Sequence, residues 1–212
     1  MAASDALTDK VHAWLSARSI ARGLPAPVAD QGGYRVDTES DIETRRWVFA
    51  RPTKGLAELG ATIRQPRHLL KLCGDASELR AILPDHWQIQ PPGYFMQAGD
   101  PPAEKPIPDV YTIEIDRAGD ITHVRITSPD ADLAASGYAV QTRIAFIYDR
   151  IVTAPDHRRK GLGNAVMATL RRAGHDRDTP ELLVATSDGR ALYASIGWRT
   201  LSPYSTAALP DT

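Results

Sequence analysis

A strand that runs directly into a basic, glycine-containing loop is the feature of this sequence that most restricts the fold. The stretch from Gln141 to Val152 is rich in Ile, Val, Phe and Tyr, which favours a central buried strand. Pro155 then turns the chain, and three adjacent cations follow at positions 158–160. Two glycines open the next segment, 161–173, in which apolar residues recur at helical spacing. The sequence therefore predicts a strand, a loop and a helix in immediate succession.

The loop Arg158-Arg159-Lys160-Gly161-Leu162-Gly163 has the properties of a phosphate site. Glycine lets the backbone approach a ligand closely, and the free N–H groups at the start of a helix attract phosphate oxygens. The loop is not a Walker loop, because Gly-Lys-Ser/Thr is missing, and Ala165-Val166 stands where a dinucleotide fingerprint needs its third glycine. Taken alone, the loop is equally well explained as a basic turn before an ordinary helix.

The composition excludes several classes of function. The 212 residues carry a formal net charge of -1, so the chain lacks the electrostatic signature of a nucleic-acid-binding protein. Cys73 is the single cysteine, which leaves no disulfide framework or thiolate cluster, and the six histidines lack metal-ligand spacing. The first residues do not resemble a secretory signal, and no apolar run approaches about 20 residues. We therefore expect a cytoplasmic protein that binds no metal and does not enter a membrane.

Hydrophobic periodicity and turn residues place the remaining elements. In the first half they predict helices over about Asp5 to Arg22, Lys54 to Ile63 and Asp75 to Leu83, and strands over Tyr34 to Asp37, Arg46 to Ala50 and His68 to Cys73. The proline-rich composition beyond Pro91 predicts a linker or crossing loop over Gly99 to Pro108. In the second half they predict a hairpin of Tyr111 to Asp116 with Ile121 to Thr127, a strand over Leu182 to Ala185 and a short helix over Arg190 to Ser195.

A second motif follows that last strand, in which Leu192-Tyr193 stands shortly before Gly197-Trp198. Here the sequence resembles the GNAT superfamily of N-acetyltransferases. That family has an Arg/Gln-x-x-Gly-x-Gly/Ala loop, matched by Arg158, Gly161 and Gly163, and a later Leu-Tyr-x-x-x-Gly-Phe/Trp segment. The order of strand, loop, helix, strand and helix around the motifs also agrees. The resemblance covers about residues 109–198 and is faint over the first hundred.

The resemblance implies a fold and a cofactor. The fold is of the α/β (α+β) class, with a GNAT-like mixed, mostly antiparallel twisted sheet flanked by helices and an extended N-terminal region. The cofactor is acetyl-CoA, which leaves as CoA. In proteins of this family the strands on either side of the glycine loop splay apart, and the pantetheine arm lies between them. The residues that correspond to the cofactor site are Ile151, Val152 and Thr153 for pantetheine, and Arg158, Arg159, Lys160, Gly161, Leu162 and Gly163 for the pyrophosphate.

The reaction implied by the resemblance is direct attack of a neutral amine on the thioester, which requires a proton acceptor. Asp149 has the same strand parity as Ile151 and Thr153, so it is one candidate base, and Glu114 on the predicted hairpin is a second. Asp149 is also explained as a carboxylate paired with Arg150 or Arg143. Tyr193 corresponds to the family's tyrosine general acid, although a packing tyrosine with an exposed hydroxyl would give the same sequence.

The resemblance divides the chain into two regions and implies an activity for one of them. Residues 101–212 form the expected acetyl-CoA-binding catalytic core, and residues 1–100 are either a shortened, degenerate copy of the same fold or a cap over the acceptor pocket. The predicted activity is transfer of acetyl to a primary amine of a small molecule, namely an amino acid, a polyamine or an amine antibiotic. Acetylation of a protein amine and a non-catalytic acyl-CoA-binding module are the alternatives. The oligomeric state stays open, a homodimer included.

Overall fold

A computed structural model describes residues 2–100, 106–174 and 178–210 of the chain. None of the helices described there combines the length and the apolar character needed to cross a membrane. The helices are α1 (Ala2–Ala21), α2 (Lys54–Thr62), α3 (Ala76–Ile82), α4 (Leu162–Ala173) and α5 (Ser187–Ser195). The strands are β1 (Val28–Asp30), β2 (Gly33–Asp37), β3 (Arg45–Phe49), β4 (His68–Cys73), β5 (Gln88–Ile89), β6 (Gly93–Ala98), β7 (Thr112–Ala118), β8 (Ile121–Thr127), β9 (Leu133–Gln141), β10 (Phe146–Thr153), β11 (Glu181–Thr186) and β12 (Trp198–Ala208).

These strands join into one sheet in the order β1-β2-β3-β4-β12-β6-β11-β10-β9-β8-β7, with β5 paired to β12 beside this path. The pairs β3–β4 and β10–β11 are parallel, and the other pairs are antiparallel. Ile147 and Leu182 pack into the core under α1, whereas their strand neighbours Phe146 and Leu183 pack under α4. Helix α1 therefore covers one face and α2 to α5 cover the other. This mixed, mostly antiparallel sheet flanked by helices confirms the predicted fold class.

Local chemistry explains why several elements begin where the sequence predicts. The Thr53 side chain accepts a hydrogen bond from the Leu56 N–H at the start of α2, and Asp75 accepts one from the Glu78 N–H at the start of α3. Such caps satisfy N–H groups that have no partner inside the helix. Gly119 has a φ of 59° in the turn between β7 and β8, a conformation that suits glycine, and it confirms the predicted hairpin.

One predicted strand is wrong at its beginning. The stretch from Gln141 to Val152 is divided by a turn, so that Gln141 ends β9 and Phe146 begins β10. The Thr142 hydroxyl holds the turn, because it donates to the Ala145 carbonyl at 3.0 Å and accepts from the Ala145 N–H at 3.1 Å. The apolar composition continues across this turn, which hides it in the sequence. As a result β9 lies between the hairpin and β10.

Two central strands of the sheet, β6 and β12, also have no counterpart in the sequence prediction. β6 follows Pro91 and Pro92, yet it lies in the middle of the sheet between β12 and β11, where Phe95 and Met96 are buried. β12 follows the second motif directly and pairs with both β6 and β4, thereby joining the two parts of the sheet. Of the predicted linker Gly99–Pro108, residues 101–105 lie outside the described part of the chain.

The two parts of the chain use the same order of elements. β1, β2 and β3 form an antiparallel meander, α2 follows, and β4 returns parallel to β3. β8, β9 and β10 form a second meander, α4 follows, and β11 returns parallel to β10. The division near residue 100 stays a prediction, because β6 belongs to the first hundred residues but pairs with strands of the second part.

Candidate functional site

The parallel strands β10 and β11 separate shortly after they begin. Their pairing consists of Phe146 with Glu181 and Ile147 with Leu182, although β10 continues to Thr153 and β11 to Thr186. Beyond Ile147 the edge of β10 that faces β11 has no strand partner among the described residues. Backbone N–H and C=O groups in such a gap need partners of another kind. The split therefore forms a slot in which an extended polar chain can bind to backbone.

A β-bulge in β10 changes which side chains face this slot. Asp149 lies opposite Tyr138 of β9, but Val152 lies opposite Ser136, so β10 carries one extra residue at this point. Arg150 has a φ of 53°, which marks the bulge. Because of the extra residue, Asp149 shares a face with Val152, and the predicted common parity of Asp149 and Thr153 is wrong. Asp149 itself lies on the α1 face, two residues after Ile147 and before the bulge.

Arginines hold Asp149 on that face. Arg22, directly after α1, donates from Nε and Nη2 to the two carboxylate oxygens at 2.7 and 2.8 Å. Arg150 lies 3.4 Å and Arg18 lies 4.0 Å from an oxygen of the same carboxylate. The Asp149 side chain is 10% exposed, so these charges interact with little screening by water. The predicted pairing with Arg150 is confirmed, and the two arginines from the N-terminal helix are additional.

The glycine loop leaves the start of α4 open. The N-cap residue Gly161 has a φ of 82° and supplies no side-chain cap, so the first N–H groups of α4 are left for another acceptor. A Cβ at Gly161 would meet nothing within 4 Å, so the space beside this N-cap residue is open. Arg158, Arg159 and Lys160 are exposed beside this space. This combination fits a pyrophosphate.

The N-terminal part of the chain offers an internal comparison, because α2 occupies the equivalent place after β3. There Thr53 caps the helix, and a Cβ at Gly55 would lie 2.1 Å from the Gln31 carbonyl oxygen. β3 and β4 pair over five successive residues, with no split between them. The N-terminal part thus has neither an open helix start nor a slot, and the two features occur together only at α4 within the described residues.

The two sequence motifs are in contact with each other. A Cβ at Gly163 would lie 3.0 Å from Leu192 Cδ2 and 3.6 Å from Thr153 Oγ1. Gly163 therefore allows α4 to pack closely against both the end of β10 and helix α5. This contact fixes α5, and with it Tyr193, relative to the slot. The two motifs, which are separated in the sequence, thus pack against each other in the structure.

A cavity of about 570 Å³ lies at the split and receives side chains from both faces of the sheet. From the α1 face it is lined by Trp14, Arg18 and Asp149, and from the α5 side by Tyr193. The Tyr193 hydroxyl makes no hydrogen bond to any described residue, and burial raises the pKa of this phenol to about 12. Tyr193 is therefore protonated at neutral pH and has a proton to donate into the cavity.

Sequence reasoning missed a group of cations on the α1 side of this cavity. Arg18 and Arg22 come from the end of the α1 region, Arg46 from β3 and Lys71 from β4. Burial, the charge of Arg18 and that of Arg22 lower the pKa of Lys71 to about 8, although the charge of Glu43 opposes them. The sequence held a signal for this group: Arg18 falls on the apolar stripe of α1, and Lys71 lies inside the apolar run of β4.

Two other residues lie outside the cavity lining. Glu114 is on the edge strand β7, which β8 and β9 separate from β10, and its side chain is 51% exposed and pairs with Arg125 at 3.1 Å. The structure therefore does not bring Glu114 together with Asp149 and Tyr193. Burial raises the pKa of the Cys73 thiol to about 12, as expected for a small buried residue rather than a nucleophile.

Comparison with solved structures identifies the fold. A GCN5-related N-acetyltransferase from Kribbella flavida is 16% identical, with a TM-score of 0.64 over 97% of this chain and 96% of that one. A GCN5-related N-acetyltransferase-like protein from Streptococcus suis is 11% identical, with a TM-score of 0.59 over 97% and 99%. A tandem GNAT protein from the clavulanic acid biosynthesis pathway is 14% identical, with a TM-score of 0.52 over 79% and 76%.

No protein-family model matches the sequence, and no curated protein matches it. The solved structures are similar over nearly the whole chain at low identity, so the similarity establishes the fold. The chain has the fold of the GCN5-related N-acetyltransferases, as its two motifs predicted.

Proposed function

We propose that this protein is an acyltransferase that moves an acetyl group from acetyl-CoA to a primary amine of a small molecule. The observation that carries the proposal is the separation of β10 from β11 directly beside an uncapped helix start. The slot and the open N–H groups lie at the two ends of the same short segment, from Ile151 to Gly163. A ligand with an extended amide chain and a pyrophosphate matches both features at once.

The chain's own residues supply the binding groups for acetyl-CoA. The N–H groups that open α4, from Leu162 onward, and the cations Arg158, Arg159 and Lys160 would hold the pyrophosphate. The unpaired edge of Ile151, Val152 and Thr153 would bind the pantetheine amides. When bound there, acetyl-CoA supplies the acetyl group as a thioester. Leu192 closes the site from the side of α5 through its contact with Gly163.

Asp149 and Tyr193, which both line the cavity, are the residues that we assign to proton transfer. The acceptor enters as an ammonium and must lose a proton before its nitrogen can form a bond to the acetyl carbon. Asp149, a carboxylate that lines the cavity, would take this proton directly or through a water molecule. As the carbon–sulfur bond breaks, Tyr193 would donate its proton to the sulfur, and the second proton that the nitrogen loses in forming the amide would return through water to the Tyr193 oxygen. The extra backbone N–H of the bulge at Arg150 and Ile151 would stabilise the negative charge on the carbonyl oxygen.

The cavity favours a small acceptor over a protein amine. Its volume of about 570 Å³ is in the range of pockets that enclose small molecules, and its lining comes from both faces of the sheet. Helix α1 packs over this side of the sheet, so it would limit the approach of a second protein.

The proposal is tested by two measurements on the full chain. Isothermal titration calorimetry with acetyl-CoA measures cofactor binding, and release of the CoA thiol in the presence of an amine library measures transfer. Binding together with amine-dependent release supports the enzyme. Binding without release from any amine would instead favour a non-catalytic acyl-CoA-binding module. The absence of both would reject the proposal altogether.

A further inference from the structure

The cavity carries more positive than negative charge on its lining. The cations are Arg18, Arg22, Arg46, Lys71 and Arg150, and the carboxylates are Asp149 and Asp188. Glu43 pairs with Arg46 and adds one negative charge behind the lining. Five cations against three carboxylates leave an excess of two positive charges. Cations that are shielded from water destabilise one another unless an anion lies among them.

Arg18 is the cation with the most unused hydrogen-bond donors, although its guanidinium lies over the Trp14 ring, 5.7 Å from the ring centroid. Its side chain is 15% exposed, and its nearest carboxylate oxygen, Asp149 Oδ1, lies 4.0 Å away. Both Asp149 oxygens already accept hydrogen bonds from Arg22. Arg18 donates no hydrogen bond to any residue in the described part of the chain, although a guanidinium has five donors. Burial, followed by the charge of Arg22, lowers the pKa of Arg18.

Lys71 is the second cation with donors left over. Its ammonium donates to Thr206 Oγ1 at 3.1 Å, which leaves two N–H groups to point toward the cavity. Burial lowers the pKa of Lys71, and the positive charge of Arg18 lowers it further. Arg22 and Arg46, in contrast, are each paired with a carboxylate, and Arg150 donates to the Ala21 carbonyl at 2.6 Å. Arg18 and Lys71 are therefore the two cations of the lining with the most hydrogen-bond donors left over.

We propose that the acceptor amine carries an anionic group, a carboxylate or a phosphate, which Arg18 and Lys71 bind. The ammonium of the same acceptor would then lie toward Asp149, the buried carboxylate on this side of the cavity. This inference rests on the proposed function, since it names the acceptor class of that site. It favours amino acids and phosphate-bearing amines, and it disfavours polyamines and polycationic amine antibiotics, because their further charges would repel the lining.

The first experiment compares acceptors that differ in the charge of the group they carry besides the reacting amine. CoA release is measured for leucine, leucinamide, O-phosphoethanolamine and spermidine with the wild-type protein. We expect kcat/KM to be about 10- to 100-fold higher for an anionic acceptor than for the neutral or polycationic one, because hydrogen bonds to charged groups bind more tightly than neutral ones. Leucine against O-phosphoethanolamine distinguishes the carboxylate from the phosphate. Equal or higher kcat/KM for leucinamide and spermidine would overturn the inference while leaving the acyltransferase intact.

The second experiment removes the two cations. Arg18→Gln and Lys71→Gln should each lower kcat/KM for the anionic acceptor about tenfold or more relative to kcat/KM for leucinamide. Lys54→Gln is the matched control, because Lys54 is 92% exposed and pairs with Glu58 on α2, away from the cavity. An equal loss for both acceptors would indicate a merely structural effect and would contradict the inference.

A third measurement needs no variant and separates this inference from the proposed function. Calorimetric titration of the wild-type protein with leucine and with leucinamide reports acceptor binding whether or not acetyl is transferred. Tighter binding of leucine, weakened by competing inorganic phosphate, supports the anion site even if no CoA is released. Equal binding of the two compounds rejects it even if acetyl-CoA binds and turns over.

Discussion

Arg22 holds both carboxylate oxygens of Asp149 through hydrogen bonds of 2.7 and 2.8 Å, although 127 positions separate the two residues in the chain. The pair connects the end of the N-terminal helix to the bulge in β10. Bidentate pairs of this kind fix orientation as well as distance. The first hundred residues therefore take part in shaping the Asp149 side of the cavity, in addition to extending the sheet.

Replacing Asp149 tests its role as the proton acceptor. Asp149→Asn should lower kcat on the order of 100-fold, because an amide cannot take the ammonium proton, and should leave acetyl-CoA affinity unchanged. Arg22→Gln is the matched variant that keeps the carboxylate but removes its clamp, so we expect a smaller loss in kcat. Steady-state CoA release and calorimetry measure the two quantities. A kcat within twofold of wild type for Asp149→Asn would exclude Asp149 as the base.

The open helix start at Gly161 predicts a specific sensitivity to negative charge. Gly161→Glu should weaken acetyl-CoA binding on the order of 10- to 100-fold, because a carboxylate would compete with the pyrophosphate for the N–H groups of α4. Calorimetric titration measures the dissociation constant.

Gly119→Glu is the control for this variant. Gly119 also has a positive φ and open space around its Cβ position, but it lies in the β7–β8 turn, at the end of the sheet where β10 begins. Both variants should cost a similar 1–2 kcal/mol, roughly, from the left-handed backbone. Equal acetyl-CoA affinity in the two proteins would argue against a pyrophosphate at Gly161.

Tyr193→Phe separates turnover from binding. The hydroxyl has no hydrogen-bond partner among the described residues, so its removal should leave stability nearly unchanged. We expect kcat to fall on the order of 100-fold with an unchanged dissociation constant for acetyl-CoA, because the leaving sulfur would lose its proton donor. Since burial raises the pKa of Tyr193 to about 12, deprotonation of this residue should not reduce wild-type activity at pH 9. Undiminished turnover by the variant would remove Tyr193 from the mechanism.

The sequence predicted the part of the site that depends on local chemistry. Gly161 and Gly163 are needed where they stand for a left-handed turn and for a close contact, and such requirements are visible in a single sequence. The helix caps at Thr53 and Asp75 are local in the same way. The hairpin of β7 and β8 follows from alternation and from Gly119, and the fold class follows from the motifs between these elements.

The rest depends on long-range pairing that local patterns do not encode. β6 is preceded by two prolines, and only its pairing with β11 and β12 makes it a central strand. The prediction that Asp149 and Thr153 share a face is wrong, because one bulged residue exchanges the two faces of the strand beyond it. The sequence places Glu114 near the site because it gives no sign of β9, which lies together with β8 between β7 and β10.

The buried charge on Lys71 leads to a prediction in which stability and binding change in opposite directions. The ordinary pKa of a lysine is near 10.5, and Lys71 is lowered to about 8, so its protonated form is unfavourable in the folded state. One pKa unit corresponds to about 1.4 kcal/mol, so Lys71→Met should stabilise the fold by about 1–3 kcal/mol at pH 7, the lower values allowing for the lost bonds to Thr206 and for Glu43. The gain should shrink as the pH rises from about 8 to 10.5, because the folded wild-type protein releases its proton in this range before the unfolded chain does.

Urea unfolding at pH 7 and pH 9.5 measures both effects, with the exposed Lys54→Met as the neutral control. Loss of stability in Lys71→Met, or a gain that does not depend on pH, would mean that Lys71 is satisfied within the protein and is not held ready for an anion.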